Sequence, residues 1–226
     1  MIDKLRTDAI ILRRTNYGEA DRILNIITPN DGKISVMARG VRKEKSRLAG
    51  GIELFAVCDA VLHIGKGDIA TLTGSKMKEF FDKIMTDYDR MQFGYEAIKQ
   101  ISKASETINE PEFYDLLKDC LTALNNLKIN LKIIQAWFYL RLAKLLGNEL
   151  NTATDNNGMK LVEDAKYDFD IGSQVFTFAE NGQYGADYIK LLRVISNNKP
   201  EIINRIAGTE DLIDDCLRLA QIVAKI

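Results

Sequence analysis

Residues 39–47 read Arg39-Gly40-Val41-Arg42-Lys43-Glu44-Lys45-Ser46-Arg47, five cations against one anion, a balance of +4 in nine positions. Cations at this density do one kind of chemistry well: they neutralise closely spaced anions such as the phosphates of a nucleic-acid backbone. Gly40 and Gly50-Gly51 bracket the segment and imply a mobile, exposed connection that can follow such a backbone. Arg13 and Arg14 upstream and Lys66 downstream are placed to flank the same groove. Neutralising four phosphates would give single-strand binding a log–log salt slope of roughly −3. The alternative reading of the same run is a solvated charged loop. Stacking platforms are few, with Tyr17 and Phe55 the best candidates and packing under the helical domain the equal alternative for Phe55, so binding is expected to be backbone-driven and tolerant of sequence.

Other chemistry is poorly supplied. The one histidine, His63, excludes a multi-histidine metal site and leaves a nucleophile–base arrangement dependent on a single residue. Cys58, Cys120 and Cys216 are three in number, far apart and without a C-x-x-C pair, which argues against a disulfide framework. Cys58 and His63 lie five apart, and period-two alternation sends them to opposite faces of a strand. Gly65-Lys66-Gly67 is too short for a phosphate loop and reads as a hairpin turn. A binding protein is expected rather than an enzyme.

The elements that must position the cations are strands. Residues 33–39 alternate, with Ile34, Val36 and Ala38 on one face, and the turn Pro29-Asn30-Asp31-Gly32 joins them in a hairpin to the apolar run 21–28. In residues 52–64 every even position is apolar, which reads as one long curling strand. With strands at 7–15 and 69–77 this makes five, and a glycine-rich irregular segment between the third and fourth predicts an OB-fold-like barrel over 1–78. After Lys78 the apolar period changes to about 3.6. Asn109 and Glu112 form a cap pair for a helix carrying Phe113, Leu116, Leu117, Cys120, Leu121 and Leu124, and a second helix runs from Leu131 to a stop at Gly147. Helices also fit 188–195 and 212–223. Residues 148–185 form a loop-rich insertion with short alternating pieces at 160–162 and 174–178. The fold class is α+β, a barrel at 1–78 followed by a mostly α-helical domain at 79–226.

The halves differ in charge. Residues 1–78 hold 14 Lys+Arg against 9 Asp+Glu, +5, and residues 79–226 hold 17 against 23, −6, so the overall −1 conceals a basic barrel. A composition of 46% apolar and 28% charged residues excludes disordered, collagenous and disulfide-scaffold classes. The longest apolar stretch, 133–140, falls short of the ~20 residues of a spanning helix, and Asp3, Lys4 and Arg6 stand where a signal peptide would be apolar. No membrane partner and a cytoplasmic address are expected.

Gly32-Lys33, Ala38-Arg39-Gly40, Arg42 and Lys45-Ser46-Arg47-Leu48, with Ile11-Leu12-Arg13-Arg14 and Tyr17-Gly18-Glu19, resemble the N-terminal domain of the bacterial recombination mediator RecO family over residues 7–78. The resemblance implies a DNA repair and recombination protein, nucleoid-associated, that binds single- and double-stranded DNA and anneals complementary strands. It further implies work with RecR to load RecA onto strands coated by single-stranded DNA-binding protein. The family's cations carry over onto Arg39, Arg42, Lys43, Lys45 and Arg47. Many members follow the long helix with a four-cysteine zinc module, whereas no cysteine occurs here between Gly147 and Cys216, so zinc and other cofactors are expected to be absent. The family's contact for a partner's acidic, apolar tail lies in the helical domain. The helix bearing Trp137, Arg141 and Lys144 is the candidate region here, with core packing as the alternative for Trp137. Two rival functions remain at this point, an OB-type RNA binder and an interaction scaffold whose acidic helical half is the working surface.

Overall fold

The glycine and turn residues after Thr28 close the hairpin of residues 21–38 as the sequence requires. The computed structural model describes residues 3–65, 67, 69–108 and 110–225. Strands β1 (Asp3–Tyr17), β2 (Asp21–Thr28), β3 (Gly32–Ala38), β4 (Ala56–Ile64) and β5 (Ala70–Phe80) form a closed barrel in the order β1-β2-β3-β5-β4. All pairings are antiparallel except β3–β5, where Val36 and Met37 meet Ala70 and Thr71 in parallel. This is the five-stranded OB-fold-like barrel expected. Its interior holds Ala9, Ile11, Leu24, Ile26, Val36, Cys58, Ala60 and Leu72.

The long strand expected over 52–64 is shorter. Phe55 adopts φ +56, a left-handed conformation that breaks extended pairing, so β4 begins at Ala56. Residues 49–51 form a single 3-10 turn instead. Phe55 itself is 2% exposed, its ring 4.9 Å from that of Tyr95, so it is a core residue and not a stacking platform.

By packing, the chain divides into two units, residues 1–125 and 126–226. The change from strand to helix falls near residue 80, but helices α1 (Tyr88–Ala104) and α2 (Glu112–Asn125) group with the barrel. The physical reason is a second apolar layer. Ile10, Ile27 and Val57 are buried although they alternate with the interior residues Ile11, Ile26 and Cys58. A strand with apolar residues on successive positions must be covered on both faces. Phe81, Ile84, Phe93, Ala97, Ile98 and Ile101 are buried in the same unit and supply the helical side of that layer. Lys33 ties β3 to α1, its amine donating to the Ser102 carbonyl at 2.8 Å and pairing with Glu106 at 3.1 Å. Asp87 caps α1 by accepting the Arg90 N–H at 3.1 Å. The Asn109 half of the expected α2 cap lies outside the described residues.

In the second unit, α3 (Leu131–Leu145), α4 (Ala186–Asn197), the short α5 (Pro200–Ile203) and α6 (Ile213–Val223) pack with α3 against α6. The loop-rich segment contains one hairpin, β6 (Tyr167–Asp170) with β7 (Val175–Phe178). The paired strand is thus 167–170 and not the piece at 160–162, where Lys160 makes only an isolated bridge to Thr154. Phe176 is fully buried there, its ring within 5.3 Å of Phe169 and 5.6 Å of Tyr184.

Candidate nucleic-acid interface

The outer face of β1–β3 is covered only in part. Towards one end Ile10, Ile27 and Lys33 stand in register and are withdrawn from solvent. Further along, the pairing sets Arg13 beside Asn25 and Asn25 beside Ser35, and Thr15 beside Ile23 and Ile23 beside Met37. Arg13 and Thr15 are exposed and the other four half-buried, so these rows form an open polar platform with an apolar centre. Two rows on three strands span roughly 10 Å by 7 Å, room for one or two nucleotides. Tyr17, opposite Asp21, stands at the platform's edge and is 55% exposed. Ile23, Asn25, Ser35 and Met37 were not singled out in the sequence; the alternation of β2 and β3 is the signal that marks their shared face.

The structure separates Arg13 from Arg14. A bulge in β1 between Ile11 and Arg13 shifts the pairing by one residue, which exchanges the faces of everything after it. Arg13 therefore emerges on the exposed platform. Arg14, in register with the interior residue Leu24, turns to the barrel mouth, where it donates to Glu53 at 2.9 Å and to the Ile52 carbonyl at 3.4 Å. Its guanidinium is committed to holding the end of the cationic loop.

The cationic loop follows β3 directly. Arg39, Arg42, Lys43, Lys45 and Arg47 are all exposed, while Val41 between them is buried in the barrel core. Arg39, Lys43, Lys45 and Arg47 form no ion pair among the described residues. The mobility expected of this connection is not what its bonding gives. The Arg42 N–H donates to the Ala20 carbonyl at 2.9 Å, the Lys43 N–H to Gly40 at 3.1 Å, and the Ser46 N–H to Lys43 at 3.0 Å. The Arg42 guanidinium also donates to the Gly18 carbonyl at 3.1 Å. The loop is a chain of turns pinned to the β1–β2 connection, with four cationic side chains left over. Lys66 lies outside the described residues.

Of the three residues on α3, Trp137 is 3% exposed, which leaves its indole with the packing role. Its Nε1 and the Arg141 Nε are buried without a partner, and Lys144 pairs with Glu149 at 2.7 Å. Burial pushes all three thiols up, Cys216 to about 12. No group of three or more His, Cys, Asp or Glu is placed to hold a metal ion among the described residues. Among them, too, no helix is long and apolar enough to cross a membrane.

A closed 1-2-3-5-4 barrel with an open strand face beside a cationic loop defines an OB-fold-like protein. Residues 1–81 match the family model described as "Recombination protein O N terminal". The chain is 40% identical over 121 residues to the DNA repair protein RecO of Roseiflexus sp. (strain RS-1), covering 53% of this chain and 42% of that one. It is 29% identical over 217 residues to the DNA repair protein RecO of Dehalococcoides mccartyi (strain ATCC BAA-2266 / KCTC 15142 / 195), covering 93% and 85%. To that of Alkaliphilus metalliredigens (strain QYMF) it is 30% identical over 146 residues, covering 63% and 58%. The match thus spans less than half of the first relative's length and most of the second's. Residues 1–81 are thus similar to the N-terminal domain of RecO proteins, and most of the chain is similar to the DNA repair protein RecO of Dehalococcoides mccartyi.

Proposed function

We propose that this protein acts in DNA repair and homologous recombination by binding single- and double-stranded DNA along the barrel and annealing complementary strands. The observation that carries the reading is the set of four exposed, unpaired cations, Arg39, Lys43, Lys45 and Arg47, on a pinned loop beside an open OB-type strand face. The family named by the comparisons supports it.

The mechanism is charge neutralisation. Two DNA strands repel, and a cationic surface that holds each backbone lowers the repulsion while leaving base edges free to pair. Arg39, Arg42, Lys43, Lys45 and Arg47 are assigned to phosphates, with Arg13 at the far side of the platform and Lys66 as a further contact. Tyr17 stacks on a base. The protein is a mediator and not an enzyme, and its work needs neither zinc nor another cofactor. It operates in the cytoplasm at the nucleoid, with RecR and strands coated by single-stranded DNA-binding protein as partners in loading RecA. Unit 2 is the side offered to protein partners.

The test is charge reversal at Arg39, Lys43 and Lys45 to Glu, three residues whose side chains make none of the loop's hydrogen bonds. A triple variant with normal circular dichroism is expected to lose oligonucleotide annealing and single-strand affinity. Annealing at the wild-type rate would overturn the reading. Competition by RNA stronger than that by DNA would instead favour an RNA-binding role.

A further inference from the structure

We infer that Asp21 is a positioning residue whose carboxylate sets the cationic loop in its DNA-binding conformation; the inference rests on the DNA-binding reading above. Asp21 opens β2 opposite Tyr17 and is half-buried. Its Oδ1 accepts the Gly40 N–H at 2.7 Å. Gly40 has φ +64, the left-handed turn that starts the loop and that glycine alone enters at little cost. One residue on, Val41 enters the core, and Arg42 is then fixed to Ala20 and Gly18. The β1–β2 connection and the first residue of β2 therefore hold residues 40–42 by three hydrogen bonds, and the Asp21 carboxylate is the one acceptor among them that is a side chain.

Electrostatics alone would not place Asp21 here. A carboxylate at the root of a loop carrying +4 repels the phosphates that the loop attracts. Its contribution is pre-organisation. With the loop set in advance, DNA binding does not have to order the cationic side chains and their backbone at the moment of contact.

Replacement by Asn and by Ala separates the two roles. Asn keeps an acceptor for Gly40 and removes the charge, whereas Ala removes both. Single-strand affinity is measured by fluorescence anisotropy with a labelled oligonucleotide across a salt series. Asp21→Asn is expected to bind at least as tightly as wild type. Asp21→Ala is expected to bind about two- to tenfold more weakly, the cost of ordering one or two side chains, with an unchanged salt slope because the same phosphates are met in the end. Ala binding as tightly as Asn, or both weakening equally, would overturn the inference.

The charge-reversed triple variant at Arg39, Lys43 and Lys45 is run alongside. Wild-type affinity in that variant removes the DNA-binding reading itself. Loss of affinity there with normal binding by Asp21→Ala removes only the positioning role. Amide exchange in the wild-type protein gives a readout independent of whether the Ala variant folds. The Gly40 amide is expected to exchange more slowly than that of Lys45, and equal rates would overturn the inference.

Discussion

The Phe55 ring lies directly against Gly94, where an added Cβ would stand 2.8 Å from Cε1 and 3.2 Å from Cζ. Phe55 leaves the strand register at φ +56 to reach this position, and α1 admits it because Gly94 has no side chain. The contact joins the loop before β4 to the helix that covers the barrel.

Gly94→Ala is accordingly expected to destabilise the protein. Alanine gains about 0.8–1 kcal/mol of helix propensity over glycine. Overpacking against a fully buried ring costs about 1–3 kcal/mol. The net loss, about 1 kcal/mol, is read as a lower urea midpoint at unchanged m. In a Phe55→Leu background the clash is gone and the same substitution should stabilise. A double-mutant cycle without that change of sign would show that the close approach is not the cause.

Acid stability should depend on Asp59. Arg6 hydrogen-bonds this carboxylate from the neighbouring strand, with Nε 2.9 Å from Oδ1, and holds it below its ordinary value of 3.8. A depressed carboxylate contributes stability that is full above its unfolded value and is lost as pH falls through its lower folded value. Asp59→Asn should therefore be less stable than wild type at neutral pH, with the difference shrinking below pH 3.8. Both partners reach solvent, so added salt should shrink it as well. A difference that persists undiminished at pH 2 in urea titrations would assign the effect to packing.

The strand pattern made most of the barrel legible. The turn at 29–32, the alternation of β3 and the even-position face of β4 each appear in the structure as the sequence implies. The errors arise where a local pattern has two physical solutions. Ile52 and Leu54 continue the apolar parity of β4, and Phe55 carries no turn signature, so nothing local reveals the left-handed break. The paired apolar residues Ile10-Ile11 and Ile26-Ile27 carry the signal of a second covered face, which a boundary at residue 78 leaves out, and α1 and α2 answer it. The cations of residues 39–47 were legible as a charge run, but their anchoring was not, because it uses the backbone carbonyls of Gly18 and Ala20. Arg13 and Arg14 looked equivalent until the bulge placed them on opposite faces.

The bulge turns Arg14 to the barrel mouth, and Arg14 can be compared with the exposed Arg39 of the loop. Arg14 is engaged by Glu53 and the Ile52 carbonyl, whereas Arg39 is exposed and without an ion pair among the described residues. Arg14→Gln should lower stability by up to about 1 kcal/mol, the range of a partly exposed pair, and leave the salt slope of single-strand binding unchanged. Arg39→Gln should hold stability within about 0.5 kcal/mol of wild type. Its salt slope should be shallower by about 0.7, one phosphate's worth of released counterion. Both variants carry the same loss of one positive charge, so net charge cannot explain a difference between them. An equal fall in slope would make Arg14 a phosphate ligand; a fall confined to Arg39→Gln would show that the Arg14 guanidinium, turned to the barrel mouth and held by Glu53, is withheld from DNA.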